Sequence, residues 1–472
     1  MIKILITSIT LLLSYAIKAQ TTTYPSLNIN LLSHINPEKG DSSPYNNKYS
    51  GCWGWYQANK NKEYAIVGTS NQSYFVDITN PTSPILCDSV KAIKTKAVWR
   101  EIKTYQNYCY IVSDDAGANS FQIIDLQYLP DSVHVIHNSN TIFSRCHTIF
   151  IDNNKLYCGS VKDANGYHSS MRVYDLTNPT FPTLIRKLED DVPFIDHVHD
   201  MFARNDTIFA SCAYDGLQIL TLTSANTFSL IQSFTNYQFS GYNHSSYQTE
   251  NRNIVVMADE VPDALPLKIL DVSDLNNIQV LATVNSHSLA TPHNPYIVGN
   301  NWCWSSNYQD GIYLFDISNP ASPSVYGYFD THPQHGVNDN FSTDAYQGNW
   351  GAYPYLPSKN IIALDMQNGL FILEGDNNYK NTVVSINENK KETLLFSVYP
   401  NPANEMLNLR LIAEAIEAAE ITISNTLGDV ILKQTISIQN LKLNIQNLSG
   451  GLYFVTLSNK NFSETQKIII QK

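Results

Sequence analysis

The strongest constraint on the fold is internal repetition. Seven segments share one pattern of short strand, polar turn and second strand: "WGWYQANKNKEYAIVGT" from Trp53, "WREIKTYQNYCYIVSDD" from Trp99, "HTIFIDNNKLYCGSVKD" from His147, "HDMFARNDTIFASCAYD" from His199, "HSSYQTENRNIVVMADE" from His244, "HNPYIVGNNWCWSSNYQD" from His293 and "WGAYPYLPSKNIIALD" from Trp350. A third strand follows each copy, and most copies continue into a fourth apolar run such as "PTLIRKL" or "PSVYGYF". A unit of roughly 45 to 57 residues with four strands has the size of a propeller blade, and seven such units close a ring. The expected fold is therefore all-β: a seven-bladed β-propeller.

Turn chemistry agrees with the period. Asp215-Gly216, Asp310-Gly311 and Asn368-Gly369 stand where the second and third strands must join by a tight hairpin. The last copy stops at "LFILEG" without a fourth strand, while "SLNINLLSHINP" ahead of the first copy reads as an unpaired one. The N-terminal strand is thus expected to complete the seventh blade, leaving no open sheet edge.

The first residues, "MIKILITSITLLLSYAIKAQ", combine Lys3, a short apolar run and Ala19, as a cleaved secretory signal does. That run is too short for a membrane span, and none follows it, so an exported protein without a transmembrane segment is expected. The formal net charge of −12 argues against nucleic acid as a partner. Seven cysteines in an exported chain cannot all pair internally, and Cys109, Cys158, Cys212 and Cys303 lie in apolar strand runs as small core residues do.

Two resemblances follow from quoted motifs. "FVDITNPTSP", "VYDLTNPTFP" and "LFDISNPASP" resemble LVIVD repeats, and the wider pattern from about Gly51 to Gly375 resembles the choice-of-anchor B family of exported proteins. That resemblance implies a propeller with no assigned chemistry. After the polar stretch "DNNYKNTVVSINENKKE", "YPNPA", "NTLGDVI", "LSGGLYFV" and "KIIIQK" resemble the type A sorting domain of the type IX (Por) secretion system of Bacteroidetes. Its alternating strands suit a small immunoglobulin-like β-sandwich. The resemblance implies recognition by the type IX machinery, passage through the outer membrane and release or attachment at the cell surface. The expected organisation is a signal peptide (1–19), propeller (20–376), linker (377–393) and sorting domain (394–472).

The candidate site comes from the repeat. His147, His199, His244 and His293 hold one position in four successive copies, at the start of the innermost strand, which faces the channel of a propeller. Trp53 or Trp55, Arg100 and Trp350 are the candidates to complete the ring and bind a ligand. His197 shares a strand face with His199. Imidazoles from several strands suit a divalent transition metal such as Zn, Cu, Fe or Ni, with Asp196, Asp200, Asp259 and Glu260 as candidate carboxylates. The plain alternative is channel lining: each blade repeats one backbone bond, and water satisfies the imidazoles.

No catalytic residue is assigned, because nucleophile elbow, His-Glu-x-x-His and phosphate loop are all absent. The leading expectation is a binding module with a glycan or protein ligand at the channel mouth. The alternative is a metal-dependent hydrolase or lyase with Asp259 or Glu260 as base. The repeated Asp77, Asp125, Asp175, Asp271 and Asp316 read as strand-end turn chemistry rather than as calcium ligands.

Overall fold

The computed structural model describes residues 23–40, 42–43, 45–114, 121–333, 346–383, 396–411, 419–425, 429–436, 440–458 and 463–472. The signal-like N-terminal stretch lies outside them. The chain divides into two compact units, Met1–Asn387 and Glu388–Lys472.

Among the described residues, the first unit is built of seven antiparallel sheets. Their innermost strands are Tyr49–Gln57, Glu101–Tyr105, Thr148–Asp152, Asp200–Arg204, Asn243–Gln248, Pro295–Val298 and Asn349–Tyr353, and neighbouring sheets touch in that order until the seventh meets the first. The outermost strand of the seventh sheet is Ile29–Ile35, paired from Ile29↔Gly375 to Ile35↔Leu370, so the N-terminal strand closes the ring as the unpaired copy required. The short strand Ser26–Leu27 adds a fifth member to the sixth sheet by pairing with Ser324–Phe329.

Burial explains why the strands read as they do. Second and third strands are covered on both faces by adjacent sheets, and Trp302–Ser306 and Phe121–Asp125 are buried throughout. Fourth strands lie at the rim, and Ile85–Lys91 is largely exposed. The aspartates at the third-strand ends each cap the following turn. Oδ1 accepts the backbone N–H two residues on in Asp77 (2.9 Å), Asp125 (2.9 Å), Asp175 (2.7 Å), Asp271 (2.9 Å) and Asp316 (2.9 Å). Gly216, Gly311 and Gly369 take φ of +69°, +87° and +92°, and a Cβ there would lie 2.6, 2.4 and 2.7 Å from a fourth-strand carbonyl oxygen. Only glycine fits both demands.

One segment departs from the sequence reading. The start of the expected linker, Asn377–Thr382, is a helix whose N-cap Asp376 accepts the Tyr379 N–H at 2.9 Å. Tyr379 is buried because its ring packs edge-on against Trp302 and Trp304, and its hydroxyl accepts the Trp304 indole N–H at 3.0 Å. All seven cysteines are free thiols, six of them buried.

The second unit comprises a three-stranded sheet, Phe396–Tyr399 with Met406–Leu411 and Asn440–Asn444, and a four-stranded one of Val430–Ile436, Ala419–Asn425, Gly451–Ser458 and Ser463–Ile470. Phe396, Leu409, Ile421, Val455 and Ile468 share one buried core between the sheets. No helix among the described residues is long and apolar enough to cross a membrane.

Candidate functional site

The imidazoles are positioned by a repeated backbone register. The N–H of His147, His199 and His293 donates across the blade's first hairpin to Gly159 O (3.1 Å), Ser211 O (2.8 Å) and Ser306 O (2.8 Å). That shared bond turns each side chain toward the axis. Ring centroids follow one another at 4.3 Å from His147 to His199, 4.3 Å to His244, 4.4 Å to His293 and 4.0 Å to Trp350, which stacks on Trp99 at 4.9 Å. Six rings thus form a continuous arc around the channel.

This arc separates two cavities. The outer one, about 450 Å³, is walled by Trp99, Tyr214, Tyr242, Tyr346 and Trp350, with Asp114, Arg145, His197 and Glu260 supplying polar groups. It opens to solvent, since Tyr214 is 72 % exposed. The inner one, about 60 Å³, runs past Trp53, Glu101, Lys103 and Asp200. The residues common to both are His147, His199, His244, Trp99 and Trp350.

Hydrogen-bond accounting fixes the protons on two rings. Asp114 Oδ2 can only accept from His147 Nδ1 (2.7 Å), and the His244 carbonyl can only accept from His199 Nδ1 (3.0 Å). The two Nε2 atoms meet at 2.8 Å, so one must donate. Burial opposes charge on His147, but the Asp114 carboxylate outweighs it and holds that imidazole above its ordinary range. His199 is pushed well below, by burial first and then by His244 and His147. His147 is therefore the imidazolium, donating to the lone pair of neutral His199.

The second half of the arc is arranged differently. His293 Nδ1 donates to Trp350 O at 2.6 Å, and its Nε2 is buried without a hydrogen-bond partner among the described residues. His244 Nε2 lies 3.8 Å from Glu260 Oε2, while Glu260 Oε1 accepts from the Tyr308 hydroxyl. Burial lowers both imidazoles; Glu260 opposes the effect on His244, and His244 adds to it on His293. His197 bonds Ser160 Oγ (2.9 Å) and the Tyr242 hydroxyl (3.1 Å).

Several sequence candidates lie elsewhere. Asp259 faces the interior of its own blade, in a fully buried ion pair with Lys268 (2.6 Å), and accepts from the Tyr237 hydroxyl (2.8 Å). Glu260, the next residue, points the opposite way and reaches the arc. Arg100 borders the inner cavity, but its guanidinium is bound to Thr69 O (2.6 Å), Ser70 O and Lys94 O. The ring position goes to Trp99 instead. Trp55 packs on Tyr64 and donates to Gln106 O between blades, whereas Trp53 lines the inner cavity under the Lys103 ammonium at 4.1 Å. Asp196 is exposed and borders neither cavity.

Asp114, Tyr242 and Tyr308 escaped the sequence reading. Asp114, Glu260 and Tyr308 each follow a blade's second strand, and the end of a second strand lies beside the start of the first in an antiparallel hairpin. Reading that position across the repeats would have revealed them.

The comparisons with known proteins concern both units. The LVIVD repeat family matches residues 61–92 and 308–331, and the secretion system C-terminal sorting domain matches residues 397–471. No curated protein matches the chain significantly. Among solved structures, the chain is similar to PorZ, described as an essential bacterial surface component of the type-IX secretion system of human oral-microbiomic Porphyromonas gingivalis. The identity is 10 %, the TM-score 0.45, and the match covers 93 % of this chain and 61 % of that one. The chain therefore spans less than two thirds of that structure. Its C-terminal domain is of the kind that the type IX machinery recognises. The chain thus carries LVIVD repeats in its first unit and a C-terminal secretion-system sorting domain, which marks it as secreted or attached to the outer cell surface.

Proposed function

We propose that the propeller is a surface binding module whose ligand is a glycan held in the outer cavity. The observation that carries this reading is the composition of that cavity: about 450 Å³ in size, with five aromatic walls over a floor of imidazoles and carboxylates. Aromatic faces stack on the apolar faces of sugar rings, while fixed donors and acceptors read hydroxyl groups. Arg145 supplies donors; Asp114 and Glu260 supply acceptors.

A glycan array probed with the full chain, beside Tyr242→Ala and Trp350→Ala, tests the reading. Binders are expected, and each substitution should weaken them at least 10-fold. Binding that both variants retain, or capture of proteins with no glycan binder, would overturn it.

A further inference from the structure

We propose that His244, His293 and Glu260 form a binding site for one divalent transition-metal ion at the boundary between the outer and inner cavities. The site rests on the cavity reading for its location, but the ion alone is enough to test it.

A ring nitrogen of each histidine and a carboxylate oxygen of Glu260 lie within 4.8 Å of one another. Ligands about 2.1 Å from a tetrahedral ion stand about 3.4 Å apart, so the 3.8 Å between His244 Nε2 and Glu260 Oε2 needs only a small closure. Clustering alone would say little. The further observation is His293, whose residue is 2 % exposed and whose Nε2 has no hydrogen-bond partner among the described residues. Its Nδ1–H is spent on Trp350 O at 2.6 Å, so the neutral ring presents its lone pair at Nε2.

For His293 and Glu260 the surrounding groups match what holds metal ligands in place, whereas His244 Nδ1 is buried without a hydrogen-bond partner among the described residues. A ligating imidazole usually donates its other N–H to a carbonyl, and a ligating carboxylate is itself hydrogen-bonded. Trp350 O does the first for His293, and the Tyr308 hydroxyl does the second by occupying Glu260 Oε1 while Oε2 stays turned toward His244. His147 and His199 are excluded from the set. The first carries protons on both nitrogens, and the second uses its lone pair to accept from the first.

Two imidazoles and one carboxylate suit Zn²⁺ or Fe²⁺ and leave at least one coordination position open. His244 and Glu260 line the outer cavity, and His244 and His293 the inner one, so the ion would sit at the boundary between them.

The test uses the purified full chain, stripped with a chelator and titrated with Zn²⁺ by calorimetry and with Co²⁺ by visible absorption. One equivalent should bind, with a Co²⁺ ligand-field spectrum of a low-coordinate nitrogen and oxygen site. His293→Ala and Glu260→Gln should each weaken binding at least 100-fold, whereas His168→Ala, at an exposed histidine, should leave it within 3-fold. Glu260→Gln preserves the shape that Tyr308 contacts, so it decides the matter if His293→Ala does not fold. Absence of a saturable site, or unchanged affinity in Glu260→Gln, would overturn the proposal. Glycan binding by a chain that shows no saturable Zn²⁺ site would leave the cavity reading standing while the metal site failed.

Discussion

His147 and His199 meet nitrogen to nitrogen at 2.8 Å, and the partners on their far sides, the Asp114 carboxylate and the His244 carbonyl, force the shared proton to belong to His147. A fixed positive charge on the cavity floor follows. Neutral lining by water would not produce it.

Replacing Asp114 by Asn removes the charge that holds the His147 proton. The titration of the His147 imidazole, followed by NMR, should move down by at least one pH unit, about 10-fold in proton affinity. A raised folded value means that the pair's stabilisation is complete below the unfolded value near pH 6.5 and is lost as pH rises through the folded one. The difference in Tm between wild type and Asp114→Asn should accordingly shrink between pH 6 and pH 9.

Asp200 titrates at about 6, raised chiefly by burial and then by Glu101. A carboxyl raised in this way favours the folded state while protonated and costs stability as pH rises from about 4 through 6. Two units correspond to at most about 3 kcal/mol, and water in the inner channel should reduce that to about 1–2 kcal/mol. Asp200→Asn should raise Tm at pH 7.5 and leave it unchanged at pH 4, as thermal melts at the two pH values would show.

The pairing of Asp259 with Lys268 is structural. Lys268→Met leaves a buried carboxylate without its cation and should cost about 3–5 kcal/mol in denaturant unfolding. An unchanged midpoint would return Asp259 to the list of functional candidates.

Gly311 and Gly166 both sit at positive φ, +87° and +84°, yet a Cβ at Gly311 meets Phe329 O at 2.4 Å and one at Gly166 meets nothing within 4 Å. Alanine should cost about 1 kcal/mol at Gly166 from backbone strain and about 2–3 kcal/mol at Gly311, where the clash adds to it. Chemical denaturation of the two variants separates the contributions.

Much of this was legible because the chain repeats itself. The Asp77-type turns, the Gly311-type hairpins and the unpaired strand at Ile29 each recur or complete a pattern, so one physical reason explains many positions. Side-chain direction at single positions was harder to read. Trp99 and Arg100 stand at a strand entry, where a shift of one residue exchanges the axis for the blade interior. Asp259 and Glu260 differ only in the parity of the strand they end. Asp114 lies 33 residues before His147, and nothing local joins them until the blades pack.

The central claim, that the ligand lies in the outer cavity above the imidazole arc, is tested most directly by a crystal structure of the full chain bound to a glycan from the array. Density between Tyr242, Trp350 and His199 is the predicted result. A ligand seated on the rim strands or on the second unit, with the cavity filled by water, would contradict the account.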